Sequence, residues 1–277
     1  MTTDSQSYFS NAYPGEHETF GGNIYRLDKA PKYAVGFRIS RQDGNVYRYS
    51  QYGAATNRGV LVAMDDSAAV VNNSDNALLD PTDAANSGDG AIGSKFIQIK
   101  SNTTVADQYS GGYLSTANDT GEGYTYRIKG NTTADTATGA PAAGQYRLEL
   151  YDKLQVAIDS TTDIAIVGNM WSDLKIAVSG SDAAVSGVSC ATATATYPYL
   201  FTQTWGVCTC LQSANVPGSA GGILVLSDVT SGAVGAFSGG SVGTVASELL
   251  DLQPIVGYCL DPAASAEHST IYLQIAP

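Results

Sequence analysis

Three kinds of residue grouping in this 277-residue chain could do chemistry. Gly239-Gly240-Ser241-Val242-Gly243 matches the GxSxG of a nucleophile elbow, and Asp251 or Asp261 followed by His268 gives the chain order of a hydrolase triad. Such a serine acts only where a strand-to-helix turn lifts its Oγ above a parallel sheet. Here it lies in a Gly/Ser/Ala-rich tract, residues 231–247, where the match arises from composition. Gly88-Asp89-Gly90-Ala91-Ile92-Gly93 fits the dinucleotide pattern GxGxxG, but it leads into a strand and no βαβ unit surrounds it. Oxygen ligands of the kind Ca²⁺ takes occur at Asp65-Asp66, residues 72–76 and Asn118-Asp119, without EF-hand spacing, and turn chemistry accounts for them. The four cysteines, Cys190, Cys208, Cys210 and Cys259, lack metal-ligand spacing, and His17 and His268 are the only histidines that could join them. Cys208 and Cys210 fall on one face of a predicted strand and read as small buried hydrophobes. The expectation is no catalytic residue, no cofactor, no metal and no enzymatic activity.

Composition narrows the partners. Charged residues make up 14% of the chain, well below the roughly 25% usual for soluble domains, with Gly, Ala, Ser and Thr in their place. A weakly charged surface suits one largely covered by partners. The net charge of -12 argues against nucleic acid, since phosphate binding needs a Lys/Arg cluster that releases counterions. No stretch approaches the roughly 20 apolar residues of a membrane-spanning helix, and the first residues, MTTDSQSYFS, lack the basic and apolar regions of a signal peptide, so synthesis and folding in a cytoplasm are expected.

The elements that would position any site are strands. Residues 124–129 alternate, with Tyr124, Tyr126 and Ile128 on one face and Thr125, Arg127 and Lys129 on the other. Together with 111–116 and the turn-forming residues 118–123 they predict a β-hairpin. Residues 145–150 repeat the pattern, with Tyr146, Leu148 and Leu150 inward. Further strands are predicted at 33–40 and 45–52, joined by Gln42-Asp43-Gly44, and at 59–64, 93–100, 154–159, 174–178, 199–204, 207–212, 223–226, 255–260 and 270–275. Residues 65–90 read as a long excursion, 163–171 as a turn-rich link, and 231–247 as a tract with little to pack. Helix is confined to a short candidate at 246–250. The fold class is all-β, with β-sandwich or β-barrel domains, long loops and an extended N-terminal arm. The expected division is an arm at 1–30, a β domain at 31–160 containing the hairpin, and a second β domain at 161–277 whose C-terminal strands are able to pair back with 45–64.

The arm is polar, with the aromatics Tyr8, Phe9, Tyr13, Phe20 and Tyr25 following neither helical nor strand period. They cannot make a core of their own, so they are interface candidates, as are Tyr124 and Tyr126 on the hairpin, because tyrosine anchors subunit contacts.

The runs DQYSGGYLSTANDTGEGYTYRIKGN, YRLELYDKLQVAID, YPYLFTQTWGVC, PIVGYCLDP and STIYLQI resemble a head-associated, capsid decoration or cement-like protein type of marine tailed bacteriophages, encoded near the major capsid gene. The likeness spreads from about Tyr47 to the C-terminus. YRYSQYGAATNRGVLV, from Tyr47, and residues 255–275 also look like the framing strands of small β-barrel decoration proteins. The resemblance implies a virion protein on the capsid surface, made in the host cytoplasm, with the major capsid protein and further copies of itself as partners, assembled as a trimer. A tail or fibre-type virion protein is the alternative, and a glycan-binding or hydrolytic protein the second.

Overall fold

The computed structural model describes residues 23–65, 70–72, 87–100, 105–118, 121–133, 145–159, 162–178, 184–213, 220–237 and 254–277. No helix occurs among these residues, and every strand pairing is antiparallel, so the architecture is all-β. The chain opens with β1 (Leu27–Asp28), β2 (Arg38–Ser40), β3 (Val46–Gln51) and β4 (Leu61–Met64). It continues through β5 (Val70–Asn72), β6 (Ser87–Gly90), β7 (Phe96–Lys100), β8 (Tyr113–Asn118), β9 (Thr125–Asn131), β10 (Gln145–Leu150) and β11 (Asp163–Val167). It closes with β12 (Leu174–Ile176), β13 (Val185–Ser189), β14 (Tyr199–Leu211), β15 (Ile223–Leu226), β16 (Val234–Ala236), β17 (Ile255–Asp261) and β18 (His268–Gln274).

Two sheets result. The larger has the order β12-β4-β13-β14-β18-β17-β15-β16, with β1 and β3 also against β14 and β2 against β3. The smaller has the order β5-β11-β8-β9-β10-β7. Strand pairing therefore groups the chain differently from a division at residue 160. The smaller sheet is drawn wholly from 70–167, between β4 and β12 of the larger, and the strands at 27–64 belong with those of the last third. β3 reaches the last third through β14, and the C-terminal strand β18 lies beyond it along the same strand.

The smaller sheet follows from alternation. Tyr126 and Ile128 of β9, Tyr146, Leu148 and Leu150 of β10, and Ile164 and Ile166 of β11 all enter one apolar cluster. Each aliphatic side chain so buried contributes about 1.5–3 kcal/mol of transfer free energy. Residues 154–159, expected as a strand, pair as none. Leu154 and Ile158 nevertheless close the cluster, because Leu154 N donates to Ser94 O and Ile158 N to Gly90 O, each at 2.8 Å. Residues 163–167, expected in a turn-rich link, form β11; the Ile-Ala-Ile-Val alternation was masked by flanking turn residues. Arg147 ties β6 to β10 with a two-pronged contact to the buried Asp89 carboxylate, both bonds 2.8 Å, while its guanidinium stacks 3.8 Å from the Phe96 ring.

The larger sheet turns on β14. The predicted pair 199–204 and 207–212 is one strand of 13 residues, since Gly206 does not interrupt it. Along one edge β14 pairs with β3 as far as Trp205 and then with β18 from Trp205 to Leu211. Gly206 sits at φ +92 where partners change, and a Cβ there would lie 2.0 Å from Asn45 Oδ1, which accepts a 2.8 Å bond from Val207 N. The Gln42-Asp43-Gly44 turn joins β2 to β3 as expected, with Arg41 N donating to Asn45 O at 2.9 Å. Upstream of β2, residues 33–37 form turns whose Tyr33 and Phe37 stack at 5.2 Å against the cluster of Tyr49 and Phe201. The tract thought to have little to pack contributes Ala233 and Val234, both fully buried, and β16.

Candidate functional site

Of the predicted interface residues, Tyr8, Phe9, Tyr13 and Phe20 lie outside the described residues, as do Ser241, Asp251 and the short helix candidate at 246–250. Tyr25 is 63% exposed. It belongs to a stretch that docks on the larger sheet: Ile24 enters the Tyr47/Tyr49/Phe201 cluster, and Leu27 and Asp28 pair with Leu200 and Tyr199. Asp28 is buried and accepts from Tyr49 Oη at 2.9 Å and from Arg26 Nε at 2.7 Å. Tyr124 and Tyr126 stack at 6.0 Å but divide in role. Tyr126 lies in the core, its hydroxyl accepting from Gln155 N, where no partner can reach it; Tyr124, at the strand end, is half-exposed.

The opposite face of the smaller sheet carries the surface that offers most to a partner. Val167, Tyr113 and Arg127 are directly paired neighbours across β11, β8 and β9. Tyr151, just past β10, extends the row: its N donates to Arg127 O at 3.0 Å, and the Arg127 guanidinium lies 5.1 Å from its ring centroid. Tyr113 is 49% exposed, Tyr151 47% and Val167 39%. The rest of this face is small and polar, with Ser115 and Thr125 bonded hydroxyl to hydroxyl at 3.3 Å and Lys129 paired with Glu149 at 2.7 Å. The row mixes aromatic rings with an arginine already held in place, the composition in which binding energy concentrates at interfaces. Alternation had placed Arg127 outward, yet nothing in the local pattern linked it to Tyr113 and Tyr151, because the three meet only through pairing and a turn.

The chemical motifs come apart on inspection. In the 88–93 glycine run, Gly93 N donates to Leu154 O and Ala91 N to Gly88 O, so these amides are not free to cradle a phosphate, and the Asp89 carboxylate between them would repel one. His268 opens β18, paired with Leu211. All four cysteines are free thiols. Burial pushes the Cys208 thiol up to about 12 and raises Cys190, Cys210 and Cys259 as well, so none is a ready nucleophile at neutral pH. Among the described residues no three His, Cys, Asp or Glu side chains gather as a metal would need, and no helix is long and apolar enough to cross a membrane.

Comparison of the chain with protein-family models, with curated proteins and with solved structures gave no match.

Proposed function

We propose that this protein is a structural component of a tailed-phage head, a decoration or cement protein that bridges capsid subunits. The observation that carries the reading is the exposed row Val167, Tyr113, Arg127 and Tyr151 on the outer face of the smaller sheet. Such a protein acts on a shell by burying area against it, and its contribution to shell stability then follows occupancy. The major capsid protein is the partner, and copies of this chain assemble around a symmetry axis as a trimer, closed symmetry being the usual way to satisfy repeated contacts. The sequence resemblance supports the same reading.

The test is to image heads lacking this protein, then add back purified wild type or a Tyr113→Ala/Tyr151→Ala variant. Wild type should restore regular density on the capsid and raise the temperature at which heads release DNA. The variant should melt as wild type does but fill fewer sites. Density at the tail, or equal occupancy by the variant, would overturn the proposal.

A further inference from the structure

The chain-wide charge of -12 conceals an opposite local balance. Seven of the 14 Lys and Arg residues fall between residues 26 and 58, against two acids, Asp28 and Asp43. Two of these cations, Arg41 and Arg58, reach a pocket of about 630 Å³ on the larger sheet. That volume is within the roughly 300–1,000 Å³ usual for small-molecule sites.

The pocket floor is one face of β14 and β18. Thr209 and Thr270 are directly paired there, Val207 and His268 lie two residues away along the same face, and Gln203 and Cys190 close the inner end. One wall is the β2–β3 turn with Arg41 and Asn45; Arg41 lies 5.7 Å from the Tyr47 ring. The other is the loop carrying Arg58 and Gly59, held by Ser189, whose Oγ donates to Asn57 O at 2.6 Å and accepts from Val60 N at 3.3 Å. Gly59 has φ +70, and a Cβ on it would lie 2.8 Å from His268 Nε2. A side chain at this position would force the imidazole away from the loop beside Arg58.

Neither Arg41, Arg58 nor His268 is ion-paired among the described residues. The nearest carboxylates along the chain are committed locally: Asp43 accepts from Asn45 N and Nδ2, each at 3.0 Å, and Glu267 accepts from Ala264 N at 3.2 Å. Among the described residues that line it, this recess bears two guanidinium groups, an imidazole and two threonine hydroxyls and no carboxylate, so it has the donors an oxyanion needs. We infer that this pocket binds a small molecule through a carboxylate or phosphate group, gripped by Arg41 and Arg58 over Thr209, Thr270 and His268. The inference goes beyond the head-protein reading and stands whether or not that reading does.

Titration calorimetry of the full chain with inorganic phosphate, and separately with glucuronate, tests it at low ionic strength. Saturable one-site binding of phosphate alone assigns a phosphoryl ligand, and of glucuronate alone a carboxylate ligand; either supports the site. Arg41→Ala and Arg58→Ala, both at exposed positions, should each weaken binding at least tenfold without changing the melting temperature. Arg38→Ala should leave binding unchanged, since Arg38 belongs to the same basic segment but pairs with Arg48 on the other face of the hairpin. Absence of saturable binding by both probes overturns the inference, as does an Arg38→Ala loss equal to that of Arg58→Ala, which would indicate diffuse attraction to the segment.

Discussion

The smaller sheet hides apolar side chains on one face and leaves most of the other exposed, whereas the larger buries residues on both faces and sets buried hydroxyls among its apolar clusters. β10 alternates, with Tyr146, Leu148 and Leu150 inward and Arg147 and Glu149 outward. β13 is buried at all five positions although two of them are serine, and Thr202 and Thr204 of β14 are fully buried. These hydroxyls are tolerable because they have partners: Thr202 Oγ1 meets Tyr52 Oη at 2.8 Å, Thr204 Oγ1 donates to Ala276 O at 2.6 Å, and Ser186 Oγ donates to Met170 O at 2.8 Å. The contrast teaches that a sheet covered on two faces can be built from a sequence with little alternation when most of its buried polar groups find partners; Ser40 Oγ, Arg48 Nε and Gln212 Nε2 are buried there without one among the described residues.

Alkali should separate the two most strongly. All four cysteines lie on or beside strands of the larger sheet. Burial raises the Cys208 thiol from 9.0 to about 12, so the folded state disfavours the thiolate. The stability this group contributes is complete below pH 9.0 and is lost as pH rises towards about 12, with Cys190 and Cys210 acting in the same direction. In the smaller sheet the raised groups are Tyr109 and Tyr146, whose ordinary value is 10.0, so its loss begins higher. Fluorescence of Trp205, on β14, should therefore report unfolding that starts soon after pH 9.0. A signal that stays flat until the tyrosines have ionised would break the comparison.

Next in size is a hole in the smaller core. Leu148→Ala removes a fully buried side chain from the apolar cluster and should cost about 2–5 kcal/mol in urea unfolding. A cost below about 1 kcal/mol would mean that this core collapses around the gap and is less tightly specified than its alternation implies.

The smallest effect sharpens the role of the hydroxyls. Thr202→Val keeps shape but strips Tyr52 Oη of its partner, for an expected loss of about 1–3 kcal/mol. Thr125→Val, on the solvent face of the smaller sheet, should leave the unfolding midpoint where it is. Equal effects at the two positions would remove satisfied polar burial as the difference between the sheets.

The sequence was legible where burial is one-sided. β9, β10 and the β2–β3 turn read correctly because alternation and Asp-Gly are local signals. β13 was passed over because Val-Ser-Gly-Val-Ser has neither alternation nor an apolar run, and its burial is decided by β4 and β14 on either side. β14 was split at Gly206, since a glycine inside a strand looks the same in sequence whether it ends the strand or marks a change of partner. The arm's attachment through Ile24 was not legible, because a lone isoleucine in a polar segment carries no period. Nor was the basic pocket, since Arg41, Arg58 and His268 are brought together only by the pairing of β14 with β3 and β18.

That pairing also sets an order of events during synthesis. β3 ends at Gln51 and its partner in β14 begins at Tyr199, so at roughly 5–20 residues per second the ribosome needs on the order of ten seconds or more between them. Throughout that interval the β2–β3 hairpin can form, but the strand that unites the larger sheet does not yet exist. Every strand of the smaller sheet has been made by Val167, before β14 begins. The nascent chain thus holds every strand of the smaller sheet while β3 still lacks its partner in β14, its apolar face open to whatever chaperone or neighbouring chain is at hand.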